Sequence, residues 1–278
     1  MARRAAFLWS GDVYSMWETL KTHVPNAVNT GLSGIPYCGT DIGGFVPTAD
    51  FTGELFVRWF QFGAFNPLFR SHGRTWHLRL PWGWNTGELG FSEVSGYTNG
   101  AQDPPASELH NAAVEPICKQ CLELRYRLMP YLYTAVRECH DTGLPILRAM
   151  WLHHADEPAA VARGDQYLWG RDILVAPVVE KGATSRALYL PAGPWIDFWT
   201  EKTVAGGREI TREPRSFSKR LSSSVRALSL PRAPNNVKPI KPAAITQTAA
   251  RAKSPMHSDQ LRLYVSIFTC PSCPAAMV

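Results

Sequence analysis

Trp9-Ser10-Gly11-Asp12 and Ile35-Pro36-Tyr37-Cys38-Gly39-Thr40-Asp41 bracket the stretch whose reading decides the fold. Each ends a short apolar or aromatic run on an acid. Between them, residues 13–29 carry Trp17, Leu20, Val24 and Val28 at spacings of three and four, which predicts a helix, and Gly31 and Gly34 supply stop signals. Ile35 to Gly39 fits a brief buried strand with Thr40-Asp41 at its C-terminal end. The unit is therefore strand–helix–strand, with an acid just past each strand.

The pattern repeats downstream. Glu54 to Ala64 reads as a second helix, with Leu55, Trp59, Phe62 and Phe65 near one face. Pro67 breaks it, and Leu68-Phe69 forms another short strand leading into Arg70-Ser71-His72. Gly, Trp, Asn and Pro dominate as far as Pro105, which predicts a long ordered loop, and such loops in compact domains are usually functional. Ser107 to Cys139 is the strongest helical pattern, with Pro130 expected to kink or divide it. This order argues for α/β architecture with parallel strands. In a (β/α)8 barrel, strand C-termini carry the chemistry.

After Gly143 the texture becomes β-rich, in 145–148, 173–179, 186–191 and 195–199, separated by turn signals. A small antiparallel β-sandwich segment is expected there. From Arg215 the periodicity is lost, and a disordered basic tail is expected. The proposed division is 1–142, 143–213 and 214–278. Residues 215–278 hold ten Lys and Arg against one acid, whereas 1–214 hold nineteen against twenty-two. The overall charge of +6 thus belongs to the tail, and the body is mildly acidic. The tail has few aromatics for base stacking, so no specific nucleic-acid partner is expected. No apolar run reaches about 18 residues, so no membrane span is expected, and the brief apolar run after Arg3-Arg4 is too short for a signal peptide. The sequence assigns no compartment. Cys118-x-x-Cys121 lies inside a helical pattern and Cys270-x-x-Cys273 in the tail, which favours reduced thiols over a zinc site.

Asp12 beside Trp9 pairs an acid with an aromatic face suited to the C–H surface of a sugar ring, although Asp12 or Ser10 could instead cap the following helix. Asp41, ahead of Gly43-Gly44-Phe45, could hold substrate hydroxyls, or could close an Asx-turn. Arg70 and His72 add donors at the next strand end. A lone histidine is more often structural.

Trp9-Ser10-Gly11-Asp12 through Phe45, Arg58 to Phe65, and Phe69-Arg70-Ser71-His72-Gly73 closely resemble glycoside hydrolase family 31, which contains α-glucosidases and α-xylosidases. Leu124 to Tyr133, Leu168 to Val178, Tyr189 to Gly193 and Trp195 to Trp199 continue the match, so the resemblance covers about residues 5–213. It implies the last strands of a (β/α)8 TIM barrel, from roughly the sixth, followed by the start of a β-sandwich. It implies a retaining α-glycosidase acting on α-linked glucose or xylose without a cofactor. It places Asp12 as general acid/base, Trp9 and Phe45 as walls of the sugar site, Asp41 and His72 as hydroxyl-binding groups, and Arg70 as their orienter. The family's nucleophile motif, Trp-x-Asp-Met-Asn-Glu, does not occur in the sequence. The chain therefore reads as a fragment beginning in mid-barrel, with little turnover of its own, and a carbohydrate-binding remnant is the alternative. The break in charge after residue 214 fits a shifted reading frame or a gene remnant.

Overall fold

The computed structural model describes residues 7–92, 94–98, 100–212 and 262–266. Strand β1 (Leu8–Trp9) pairs in parallel with β2 (Cys38–Gly39). The chain at Leu68–Arg70 continues the layer: the Leu68 amide donates to the Cys38 carbonyl, and Asp41 and Arg70 form a parallel bridge. Three parallel strands thus lie side by side, joined by helices α1 (Trp17–Leu32) and α2 (Gly53–Ala64). The long segment that follows contains, among the described residues, the 3-10 turns Trp76–Arg79, Pro81–Asn85 and Ala106–His110. Helix α3 (Val114–Thr142) runs on to the start of the β-rich part.

Helix α2 forms where the aromatic pattern places it. Thr52 caps it by accepting from the Leu55 amide at 3.4 Å. Eleven of its residues are buried, from Gly53 to Ala64 with Glu54 outside, so it is a core helix rather than a surface one. Helix α1 starts later than its apolar spacing predicts. Residues 13–15 are held as extended chain against 45–46: Val46 N–H donates to the Val13 carbonyl at 3.0 Å and Ser15 N–H to the Val46 carbonyl at 2.8 Å. The Val13 carbonyl and the Ser15 amide are thus committed to this extended pairing, and the helix begins at Trp17. Pro130 does not divide α3, which continues through it for 29 residues. Helix α3 packs on α2, its Ile117, Cys121, Leu124 and Leu128 are buried in the main core, and this burial outweighs a single lost backbone bond.

In the β-rich part, β3 (Leu147–Arg148), β4 (Tyr167–Trp169) and β5 (Ile173–Ala176) pair antiparallel. Strand β6 (Arg186–Leu190) pairs with β9 (Arg208–Arg212), and β7 (Pro194–Asp197) with β8 (Thr203–Ala205). Strand β10 (Arg262–Ser266) lies between β5 and β7, parallel to both, at the centre of a six-stranded sheet. This corrects the expectation of a wholly low-order tail after residue 214, and of a wholly antiparallel sandwich. The reason is local: Arg262-Leu263-Tyr264-Val265-Ser266 has strand-forming residues, and its Tyr264 is buried in the second core cluster. The remainder of the tail call, residues 214–261 and 267–278, lies outside the described residues.

The main core does not divide at residue 142. Trp169 meets Phe65 and Tyr131, each with ring centroids 5.5 Å from its own, and the Tyr131 hydroxyl donates to the Trp169 carbonyl. Buried Arg148 adds a polar joint, bonding Glu138 of α3 at 2.7 Å and His153 Nε2 at 3.1 Å. Burial, with the Arg148 charge, pushes His153 down to about 4, so its Nε2 stays free to accept from Arg148. Among the described residues, no helix is long and apolar enough to cross a membrane.

Candidate active site

The three parallel strands deliver their acids and cations to one end. Ser10 donates to the Thr40 hydroxyl at 3.0 Å, tying the ends of β1 and β2. Asp12 follows β1 in a turn at Gly11 and is exposed. It does not cap α1: the cap position is Met16, which makes no side-chain bond. Its Oδ2 instead accepts from the Tyr97 hydroxyl at 3.3 Å.

Asp41 is fully buried. Arg70 Nε approaches its Oδ1 at 3.2 Å as an ion pair, yet neither carboxylate oxygen has a hydrogen-bond partner among the described residues. An Asx-turn would occupy one of them, and the Gly44 amide bonds the Asp41 backbone carbonyl instead. Burial raises the Asp41 pKa, opposed by the charges of Arg70, His72 and Arg79 and reinforced by Asp12. A buried carboxylate without hydrogen bonds costs stability, because neighbouring charge alone replaces only part of its lost hydration.

The remaining expected residues join the same cluster. The Arg70 guanidinium lies 5.5 Å from the Trp9 ring centroid. Phe45 and His72 meet with centroids 5.3 Å apart, tilted by 49°. Arg74 bridges Phe45 and Tyr97 at 5.7 and 5.6 Å from their ring centroids. Contacts therefore run from Trp9 through Arg70 to Asp41, and from His72 through Phe45, Arg74 and Tyr97 to Asp12. Trp9, Asp12 and His72 are exposed, so the cluster forms an open face. A separate cavity of about 530 Å³ between β1 and α1 includes Trp9 and Ser10 but neither Asp12 nor Asp41.

Sequence reasoning missed Arg74 and Tyr97. Arg74 had a usable signal, a second cation two residues after His72. Tyr97 had none, since it sits in a loop with no periodicity to place it. The described cysteines Cys38, Cys118, Cys121 and Cys139 are free buried thiols, and no group of three or more metal-ligating side chains converges among the described residues.

Comparison with known proteins follows this geometry. Residues 2–135 match the Glycosyl hydrolases family 31 TIM-barrel domain, and residues 143–257 match the Glycosyl hydrolase family 31 C-terminal domain. The chain belongs to glycoside hydrolase family 31. The C-terminal match runs beyond residue 213, where the likeness read from sequence stops. Among curated family 31 proteins, alpha-glucosidase 2 of Bacillus thermoamyloliquefaciens is 34% identical over 206 residues, covering 74% of this chain and 23% of its own. The alpha-xylosidase of Saccharolobus solfataricus is 33% identical over 210 residues, covering 74% and 25%. Of solved family 31 structures, a Flavobacterium johnsoniae dextranase complexed with isomaltotriose matches with TM-score 0.60 and 34% identity over 76% of this chain and 24% of that one. An alpha-xylosidase from a soil metagenome complexed with xylose matches with TM-score 0.60 and 36% identity over 74% and 30%. The chain thus spans about a quarter of the length of the curated relatives it matches.

Proposed function

We propose that this face is the acid/base and sugar-holding part of a retaining α-glycosidase site, with α-linked glucose or xylose as its substrate. The observation that carries the reading is the buried Asp41 carboxylate without hydrogen bonds, set among Arg70, His72 and the exposed Asp12. Asp12 is the group that protonates the departing glycosidic oxygen and later deprotonates water. Asp41 and His72 take sugar hydroxyls, Trp9 and Phe45 pack on the ring, and Arg70 orients Asp41.

Retention needs a second carboxylate about 5–5.5 Å from the acid, as nucleophile. Asp41 does not suit that role, since it is buried and paired with Arg70. Acid–base assistance alone gives about 10²–10⁴-fold, well below the 10⁶-fold and more of enzymes. The same pairing favours a second reading, a chain that binds sugar and does not cleave it. We expect the 278-residue chain to bind glucose or xylose in calorimetric titration and to leave aryl α-glucosides and α-xylosides intact. Turnover that is lost in Asp12→Asn would overturn the inactivity, and absence of binding to either sugar would overturn the carbohydrate assignment.

A further inference from the structure

We propose that Arg79 is a positioning residue for the sugar-holding face, clamping the loop after β2 to the loop after Arg70. The proposal deepens the carbohydrate reading above and rests on it for the word sugar, but its geometry stands apart. Arg79 is 2% exposed and donates to three backbone carbonyls. Its Nε bonds Arg74 at 2.8 Å, its Nη1 bonds Gly43 at 3.0 Å and its Nη2 bonds Phe45 at 3.2 Å. Two of these acceptors flank Gly44 in the loop that carries Phe45. The third carries Arg74, which stacks between Phe45 and Tyr97, and the Arg74 amide in turn donates to the Phe45 carbonyl at 2.9 Å. Ser71 closes the arrangement by donating to the Arg79 carbonyl.

The backbone is cut to fit this guanidinium. A Cβ added at Gly73 (φ +147°) would come within 2.7 Å of Arg79 Nε, and one at Gly43 (φ +84°) within 3.0 Å of its Nη1. Either methyl would displace the clamp, and both backbone conformations already favour glycine. The guanidinium also lies 4.0 Å over the Phe51 ring, which holds it from the core side.

Charge adds to geometry. Burial lowers the Arg79 pKa to about 9, opposed by Asp41, so the cation persists at neutral pH. It is one of four charged groups acting on Asp41. Arg70 and His72 come from the strand-end segment beyond α2, Arg79 from the 3-10 turn and Asp12 from the turn after β1; the first three favour the carboxylate and Asp12 opposes it. A planar fork that meets three carbonyls in two loops has no lysine equivalent, whereas its charge does. The two roles can therefore be separated.

The test uses the full chain and follows the Asp41 carboxyl by carbon NMR titration alongside backbone amide exchange. In Arg79→Met, the Asp41 midpoint should move to higher pH, and amides of residues 43–46 and 71–74 should exchange about tenfold faster or more, with α2 and α3 unchanged. In Arg79→Lys, the midpoint should return towards the wild-type value while the loops stay loosened. If the methionine variant does not fold, the lysine variant alone decides the clamp. An unmoved Asp41 midpoint in Arg79→Met, uniform loss of protection across the helices, or loops in Arg79→Lys as protected as in the wild type would each overturn the proposal. Lack of glucose or xylose binding by the wild-type chain counts against the glycosidase reading and leaves these readouts standing.

Discussion

Two buried aspartates in this molecule are treated in opposite ways. Asp197, in the β-rich part, is fully engaged: Oδ1 accepts from the Trp199 and Thr200 amides at 2.9 and 3.0 Å, and Oδ2 accepts from the Tyr264 hydroxyl at 2.8 Å. Arg212 stands beside it at 3.4 Å and also donates to Tyr264. Asp41, at the strand ends, is at least as buried and has an ion pair but no hydrogen bond. The first acid is satisfied by the protein and holds β10 in place. The second has neighbouring charge and no hydrogen bond. Partner count, more than burial or charge, is what differs between the two.

The largest test of this contrast is to end the chain at residue 261, which removes β10. Asp197 then loses its Tyr264 partner, and β5 and β7 each expose an unpaired edge. We expect the β-rich part to lose cooperative unfolding, with rapid proteolysis between residues 143 and 212; a protease-resistant, sharply melting product would break the assignment of Asp197 as a fold-supporting acid. Asp197→Ala should be next, costing about 2–4 kcal/mol in denaturant unfolding, because Tyr264 and two amides lose their acceptor together. A loss under about 0.5 kcal/mol, the scale of an ordinary surface change, would place it on a level with Asp41.

The smallest effect carries the opposite sign. Asp41→Asn should stabilise the chain at neutral pH by about 1 kcal/mol while abolishing sugar binding, since it removes an incompletely compensated buried charge. The pH dependence follows from the raised pKa. A carboxyl that binds its proton more tightly when folded contributes stability at low pH and loses it as pH rises through the folded midpoint. The gain from asparagine should therefore grow with pH across that midpoint and vanish below the unfolded carboxyl range. Thermal melts of both proteins between pH 3 and 8 measure it, and a constant difference would remove Asp41 as its source.

Legibility in the sequence followed the same divide. Helix α2 was readable because Leu55, Trp59 and Phe62 recur on a helical period. The strand-end acids were readable because short apolar runs end on them, and Trp9, Asp12, Asp41, Phe45, Arg70 and His72 do gather in the structure. What depends on distant partners was hidden. The start of α1 is set by residues 45–46, some thirty positions away. Tyr97 reaches Asp12 from a loop without periodicity, and Arg79 answers carbonyls that no side-chain pattern encodes. Strand β10 was lost against a basic, proline-rich background, because five residues are too few to outweigh the composition around them.

The place of β10 also constrains how the chain is made. Its neighbours in the sheet, β5 and β7, are complete at residues 176 and 197, but the strand that joins them arrives only at residue 262. At about 5–20 residues per second on the ribosome, the sheet stands open for roughly 3–13 s before it can be filled. During that wait two strand borders are bare to any passing polypeptide, so the yield of correctly made protein should depend on temperature and on chaperone supply more than on the stability of the finished molecule.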